Sequence, residues 1–194
     1  TIDAVADRSD IYIGLTGAGK LGTLNASNTA SNAKIEVLGD GDISVDGAIS
    51  AQSLIRIETT GGAIINGGGS VTSPELLALA TAGVGTGGGL STSVDTFAAA
   101  AGTGGVGLAN DKALVIGTVD GTSGVTGDGS VSIATSSPLT VSQNVTSGNA
   151  IDLVAGNSNS AGDDLTVQDG VQVQGTAAVS LTAGDHVSLA ANSA

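Results

Sequence analysis

Apolar and polar residues alternate in short runs along much of the chain. Clear runs of this kind lie at 11–13, 35–37, 131–133 and 187–189. A period of two places the apolar side chains on one face of a β-strand. Strands this short bury little by themselves, and an isolated pair of them is only marginally stable in water. The pattern therefore predicts many short strands that are stabilised by stacking on one another.

A unit of two short strands, separated by one isolated Ile or Val and closed by a small-residue turn, occurs three times. The copies span 43–62, 139–156 and 165–184, and their isolated apolar residues are Ile49, Val145 and Val171. The isolated residue follows the start of the first strand by six residues in each copy. Because spacing and closing turn recur together, we predict an all-β fold for 1–194: a parallel β-helix (β-solenoid) with coils of about 20 residues stacked about 4.8 Å apart.

The segment 70–112 has two interpretations. Leu90, Val94 and Phe97 follow the spacing of one helical face, whereas Leu90, Thr92, Val94 and Thr96 alternate as in a strand. Periodicity does not decide between a helix and a strand here. We favour irregular glycine-rich coils of the same solenoid, or an insertion into it, because a strand-like run starts again at 113–116.

The composition supports a narrow interior. The chain has 32 glycines among 194 residues, one Phe, one Tyr and no Trp, yet 40% of its residues are hydrophobic. A narrow solenoid has room for Val, Ile, Leu and Ala inside, and its corners need residues that tolerate unusual backbone angles. A β-sandwich also has short strands at similar intervals, but the repeated two-strand unit favours the solenoid.

Charge and cysteine content exclude several classes of function. Eighteen acidic and five basic residues give a net charge of −13, which repels nucleic acid. Without cysteine there is no zinc knuckle, iron–sulfur cluster or disulfide framework. No apolar run is long enough to insert into a membrane, and the first residues do not form a signal peptide. We expect either a cytosolic chain or, as we favour, a piece of a longer one.

Several stretches resemble the repeat regions of filamentous haemagglutinin-like exoproteins, which are bacterial surface adhesins secreted by two-partner or autotransporter routes. The stretches are 73–77, 83–86, 90–96, 108–111, 113–117 and 137–141, and the likeness runs from residue 43 to the C-terminus. The resemblance implies a right-handed parallel β-helix, an extracellular or cell-surface location, and a role as a stalk or fibre. It implies no catalytic residue and no cofactor.

Four glycine or histidine features suggest chemistry but lack its context. The segment 14–20 has the spacing of a phosphate-binding loop, but Leu21 stands where Ser or Thr is required. Two G-x-G-x-x-G matches have their glycines at 17, 19, 22 and at 102, 104, 107, and we interpret both as loops. The single histidine, His186, falls in a turn and is expected to be solvated.

Carboxylates are the better candidates for a binding site. Asp40 and Asp42 flank Gly41, Asp163 and Asp164 are adjacent, and three more aspartates, Asp3, Asp7 and Asp10, lie near the start of the chain. Turns stacked along a solenoid could align such side chains around calcium. The glycine–aspartate nonapeptide of calcium-binding β-rolls is missing, so we favour solvated turn acids over a calcium site at Asp40, Asp42, Asp163 and Asp164.

These observations favour a structural and adhesive rod module without catalysis, part of a secreted bacterial surface protein or extracellular filament. Its expected partners are neighbouring coils or further copies stacked head to tail, and a host-cell or carbohydrate surface. One alternative is a β-helix enzyme that acts on acidic polysaccharide through Asp163 and Asp164. The five scattered basic residues and two aromatic residues argue against it. The other alternative is an adhesin module stabilised by calcium.

Overall fold

The protein is a parallel β-solenoid. The computed structural model describes residues 1–27, 32–156 and 161–191, and every regular element within these ranges is a β-strand. The strands make about nine turns with a spacing of about 21 residues. The predicted all-β solenoid is thereby confirmed. No helix in the described ranges is long and apolar enough to cross a membrane.

Most coils contain one long strand followed by two short ones, although neighbouring strands are fused in places. In the first part of the chain the strands are β1 (Ile2–Val5), β2 (Ile11–Leu15), β3 (Gly19–Ala26), β4 (Ile35–Gly39), β5 (Ile43–Val45), β6 (Ala48–Ala51), β7 (Leu54–Thr59), β8 (Ile64–Asn66), β9 (Ser70–Ala80), β10 (Gly83–Thr86) and β11 (Leu90–Ala101). In β9 and β11 a short strand continues into the long strand of the next coil, with a bend near Pro74 and Asp95.

The second part repeats the same order. Its strands are β12 (Gly105–Asn110), β13 (Leu114–Ile116), β14 (Thr118–Val119), β15 (Thr122–Ser123), β16 (Val125–Gly127), β17 (Val131–Thr135), β18 (Leu139–Val141), β19 (Val145–Ser147), β20 (Ile151–Ala155), β21 (Leu165–Val167), β22 (Val173–Gly175), β23 (Val179–Ala183) and β24 (Val187–Leu189). Here β12, β17, β20 and β23 are the long strands. Only β14 and β15 pair in antiparallel fashion among the described strands; they form a separate hairpin.

Alternation along each strand builds one continuous interior. In the pair β17–β20, Val131 lies next to Ile151 and Ile133 next to Leu153, and all four side chains are buried. The residues between them point outward. Because register is kept from coil to coil, the inward side chains form aliphatic columns along the axis, which explains the preference for Val, Ile and Leu.

The two parts of the solenoid are joined by a phase slip, a name we use for the tight turn 102–104 and the change in strand order that it produces. The long part of β11 is followed directly by another long strand, β12. As a result, β12 lies over two short strands: Val106 pairs with Val84 in β10, and Leu108 pairs with Leu90 in β11. The long part of β11 is in turn covered by the two short strands β13 and β16.

The segment 70–112 contains the two longest of the described strands, β9 and β11. Leu90, Val94 and Phe97 are all buried, as the helical spacing indicated, but they reach the interior from a bent strand. Asp95 and Thr96 both point away from the core at the bend, so the inward positions change parity between Val94 and Phe97. The same segment holds the loop 87–89, where three consecutive glycines have positive φ, and the turn of the phase slip.

The third copy of the repeat differs in one detail from its prediction. Val145 pairs with Val173, so Val173 occupies the strand position assigned to Val171. The loop before β22 spans 168–172, whereas the matching loop before β19 spans 142–144. The two extra residues are accommodated where Gly170 has φ 72°, and Val171 is buried in the loop.

Candidate functional site

Aspartate side chains at several corners hold neighbouring coils together. Asp10 accepts a hydrogen bond from the backbone N–H of Lys34 at 2.9 Å, and Asp42 accepts one from Ala63 at 2.9 Å. Asp3 does the same for Thr23. Backbone N–H groups at corners have no strand partner and need another acceptor. These carboxylates therefore act as clamps between coils.

The four calcium candidates do not converge. Asp40 accepts from the N–H of Gly17 in the preceding coil, whereas Asp42 accepts from Ala63 in the following coil. Asp163 and Asp164 lie at least five coils further along, on the order of 24 Å at the usual strand spacing. Across the described residues, no group of three or more His, Cys, Asp or Glu side chains is arranged to hold a metal ion. A calcium site at these residues stays the less favoured alternative.

Asp163 and Asp164 point in different directions. Asp163 is buried, and its side chain fills the space beside Gly156 and Gly184. The Oδ1 atom of Asp164 accepts from the backbone N–H of His186 and lies 3.0 Å from the His186 ring. Two carboxylates that share one substrate must face it together. This pair does not have that geometry.

Two aspartates in the first coils have lowered pKa values. The backbone N–H of Lys34, helped by the Tyr12 hydroxyl, lowers the pKa of Asp10. The Ser44 hydroxyl and the Lys20 ammonium lower the pKa of Asp46. Both groups are stabilised as carboxylates by the folded chain.

The segment with phosphate-loop spacing is a turn between strands. The turn lies between β2 and β3, and Lys20 is already within β3. A phosphate loop needs a helix N-terminus at that point. In addition, Lys20 forms an ion pair with Asp46 at 3.0 Å, and the N–H of Gly17 is donated to Asp40. The groups that would bind phosphate are therefore used within the fold.

The two G-x-G-x-x-G matches are only partly loops. Gly17, Gly102 and Gly104 lie in turns, but the prediction is wrong for Gly19, Gly22 and Gly107, which lie in β3 and β12. Close packing explains two of these glycines. A Cβ at position 22 would lie 2.2 Å from Asp3 Oδ1, and one at position 107 would lie 3.1 Å from the Cα of Gly89.

His186 lies in an exposed corner between β23 and β24. Its Nδ1 atom faces Asp164 rather than the adjacent Asp185. The Asp185 carboxylate instead accepts from the backbone N–H groups of Gly162 and Asp163. Both aspartates thus fasten the corner of one coil to the corner of the next.

Four of the basic side chains pair with acids. Lys20 pairs with Asp46, Lys34 with Glu36, and Lys112 with Asp95, while Arg56 contacts both Glu58 and Asp120. These pairs are spread over several coils. An anionic polymer would have to displace a carboxylate at each of these pairs.

A buried asparagine, which the sequence analysis did not single out, supports the corner after β12. Asn110 accepts from the N–H of Val94 at 2.9 Å and donates to the carbonyl of Val94 at 3.1 Å. It also donates to the carbonyl of Lys112 and accepts from the Thr92 hydroxyl. Its side chain thereby replaces strand pairing at the bend of β11. The Asn-Asp pair at 110–111 was a signal for a turn.

Hydroxyl groups line a surface depression of about 340 Å³ near the phase slip. Ser70 lies next to Ser91, and Thr72 next to Ser93, on adjacent coils. Asp111 adds a carboxylate to the same depression. The arrangement offers polar groups at regular intervals, a chemistry suited to a hydroxylated ligand such as a carbohydrate.

The last described coil exposes apolar side chains that face the interior in other coils. Val179, Val187 and Leu189 are 43%, 44% and 58% exposed. Their partners in the preceding coil, Ile151, Leu165 and Val167, are 0–1% exposed. The described strand partners of β22, β23 and β24 lie on one side only. This coil, which we call the open coil, presents apolar surface at one end of the described stack.

Comparison with known proteins identifies no relative. A scan against protein-family models gives no match, and searches of curated proteins and of solved structures also give none.

Proposed function

We propose that the chain is a structural rod module of a bacterial surface protein or extracellular filament, with an adhesive role and without catalysis. The observation that carries the proposal is the unbroken stack of coils, in which inward aliphatic columns and parallel backbone pairing run the length of the molecule. A stack of about nine coils gives a stiff rod on the order of 40 Å long. Length and stiffness are the properties that such a module contributes.

The partner in this proposal is a further set of coils, supplied by another copy of the chain head to tail. The open coil supports it. Val179, Val187 and Leu189 lie in register with fully buried residues one coil below, so an added coil would bury them in the same way. A head-to-tail contact of this kind does not close on itself and produces a filament.

Analytical ultracentrifugation over a range of concentrations tests the end-to-end contact. We expect the wild-type average mass to rise with concentration and the Leu189→Asp variant to stay monomeric, because a charge in the contact is costly to bury. Leu38→Asp is the matched control, since Leu38 is 48% exposed on the side of the rod. A monomeric wild-type chain at every concentration, or equal behaviour of the two variants, contradicts head-to-tail assembly.

Electron microscopy of the same samples tests the rod itself. We expect particles of constant width whose length grows in steps of one chain. Compact particles that grow in every direction would contradict a rod module.

The adhesive part of the proposal is supported by the hydroxyl-lined depression. A panel of neutral oligosaccharides, measured with the wild-type chain and with Ser91→Val, tests it. We expect weak binding that the variant loses. Ser132→Val is the control, because Ser132 is exposed on β17 outside the depression. This variant should bind as well as the wild type does. If no oligosaccharide on the panel binds, or if Ser91→Val binds as the wild type does, the depression has no carbohydrate role.

A further inference from the structure

One element leaves the solenoid wall and folds back over it. The strands β14 and β15 form a hairpin whose two turn residues, Asp120 and Gly121, have φ of 47° and 81°. Positive φ at both positions is typical of the tight turn preferred by Asp-Gly. The base of the hairpin is closed by the N–H of Gly124, which donates to Gly117 at 2.8 Å. We call residues 117–124 the strap.

The strap covers apolar side chains on the outside of the wall. Val119 is 1% exposed and packs with Leu77 and Ala98, which are completely buried although they point away from the interior. Leu54 and Leu79 border the same cluster. These residues form a second hydrophobic cluster, separate from the aliphatic columns inside.

An ion pair connects the strap to a distant coil. The Asp120 carboxylate lies 2.7 Å from Nη1 of Arg56. Arg56 pairs in register with Leu77, and Leu77 with Ala98. The strap emerges between β13 and β16, which lie on the coil after Ala98. The strap therefore contacts a coil three steps away along the axis.

We propose that the strap locks the two parts of the solenoid together across the phase slip, so that they open as one unit. In a stacked repeat protein each coil contacts only its immediate neighbours, and a weak junction lets the two sides unfold separately. The strap is an exception, because it fastens coils on the two sides of the slip to each other. When it lifts, the cluster around Leu77 becomes accessible to solvent.

Hydrogen exchange measured coil by coil tests the strap. In the wild type, we expect β7, β9 and β11 to open together with β17 and β20. Val119→Asp should raise exchange in β9 and β11 by about tenfold to a hundredfold, the range expected from losing one buried valine. Val115→Asp is the matched control, because Val115 is 36% exposed on the neighbouring strand β13. Equal effects of the two variants overturn the proposal.

A second variant removes the strap without adding a charge. Residues 117–124 are replaced by Ser-Gln-Asn, the sequence of the loop 142–144 that joins the equivalent strands one coil later. We expect calorimetry to show two transitions in this variant and one in the wild type. A single transition in both proteins, or two transitions in the wild type, overturns the proposal.

The ion pair is expected to contribute less than the apolar contact. Arg56 and Asp120 are both partly exposed, and salt weakens such pairs. Asp120→Asn should raise exchange in β9 by less than about threefold, the effect of a weak surface ion pair. An effect as large as that of Val119→Asp would show that the ion pair, and not the apolar contact, holds the strap in place, contrary to the proposal.

Discussion

The two parts of the solenoid use the same coil in different orientations. On the wall where the first part has long strands, such as β4 and β7, the second part has the short pairs β18–β19 and β21–β22. On the remaining walls the first part has short strands, such as β8 and β10, and the second part has the long strands β12, β17 and β20. The sequence of strands around a coil is unchanged, and only its position relative to the wall differs. Strand length is therefore a property of the local pattern, whereas the turns decide which wall each strand occupies.

The interior is continuous across this change. Phe97 lies in register with Leu76 below and Ile116 above, although these residues belong to strands of different length. All three side chains are completely buried. The packing of the core depends on which side chains point inward, and it is the same whether a wall carries one long strand or two short ones. Variants of the turn, the core and the corner bonds separate their contributions to the difference between the two parts.

The largest effect is expected at Gly105, the first residue of β12, directly after the turn of the phase slip. Gly105 has φ 70°, and a Cβ there would lie 2.0 Å from the carbonyl oxygen of Ser130. We expect Gly105→Ala to lower the free energy of unfolding by about 3 kcal/mol or more, because backbone strain and a collision with backbone add together. Chemical denaturation followed by circular dichroism measures it.

Gly121→Ala is the control for Gly105→Ala. Gly121 has φ 81° but open space around it, so only strain is introduced, at a cost of about 1–2 kcal/mol. Equal losses for the two variants would mean that close packing at residue 105 does not fix the turn.

The second-largest loss of stability is expected at a core residue of β11, the strand that precedes the phase slip. Phe97→Ala removes the largest buried side chain, and we expect a loss of about 3 kcal/mol, within the usual range for a large core aromatic. Leu189→Ala in the open coil should cost less than about 0.5 kcal/mol, as at other surface positions. If thermal denaturation gave similar losses for both, the aliphatic columns would not be the source of stability.

The third-largest loss of stability is expected at Asn110, in the corner after β12. Asn110→Ala leaves the N–H and carbonyl of Val94 without their side-chain partner, and we expect a loss of about 2 kcal/mol from unpaired buried polar groups. Asn144→Ala is the comparison, because Asn144 is exposed and its side chain bonds only to the N–H of Gln172 among the contacts described. A smaller loss for Asn110→Ala than for Asn144→Ala in chemical denaturation would contradict this assignment.

Acid should weaken the first coils by a smaller amount. The folded pKa values of Asp10 and Asp46 are lowered, so their stabilising contribution is complete above their ordinary pKa and is lost as pH falls through the lowered values. We therefore expect stability to decrease below about pH 4. Denaturation midpoints at pH 7 and pH 3 should differ less in Asp10→Asn and Asp46→Asn than in the wild type.

Asp152→Asn controls for the change in net charge, since Asp152 is exposed on the side of β20. If this variant loses as much of the pH dependence as the other two, general charge repulsion is responsible instead of the hydrogen bonds of Asp10 and Asp46.

Much of the fold could be predicted because alternation directly reports which side chains face the interior. The strands at 43–45, 139–141 and 165–167 followed from it. The phase slip did not, since it depends on how tightly residues 102–104 turn, and periodicity carries no information about that. The strap was also missed, although Asp120-Gly121 is a hairpin signal.

The candidate site was harder to predict than the fold. Acids in turns were expected to be solvated, yet Asp10 and Asp42 accept backbone hydrogen bonds from residues 24 and 21 positions later. Such bonds exist only after coils have stacked, so the position of an aspartate in a turn does not reveal its partner. The same holds for Asn110, whose partners come together at a bend in β11.

Disulfide trapping tests the phase slip most directly, because the chain has no cysteine of its own. Ser91 and Ala109 are register neighbours, so the pair Ser91→Cys and Ala109→Cys should lie within reach of a disulfide. Ala100 in the long part of β11 pairs instead with Thr126 in β16, so a pair of cysteines at 100 and 109 is the control. Our account predicts rapid cross-linking of the 91–109 pair and none of an Ala100→Cys and Ala109→Cys pair under mild oxidation; the reverse result would contradict it.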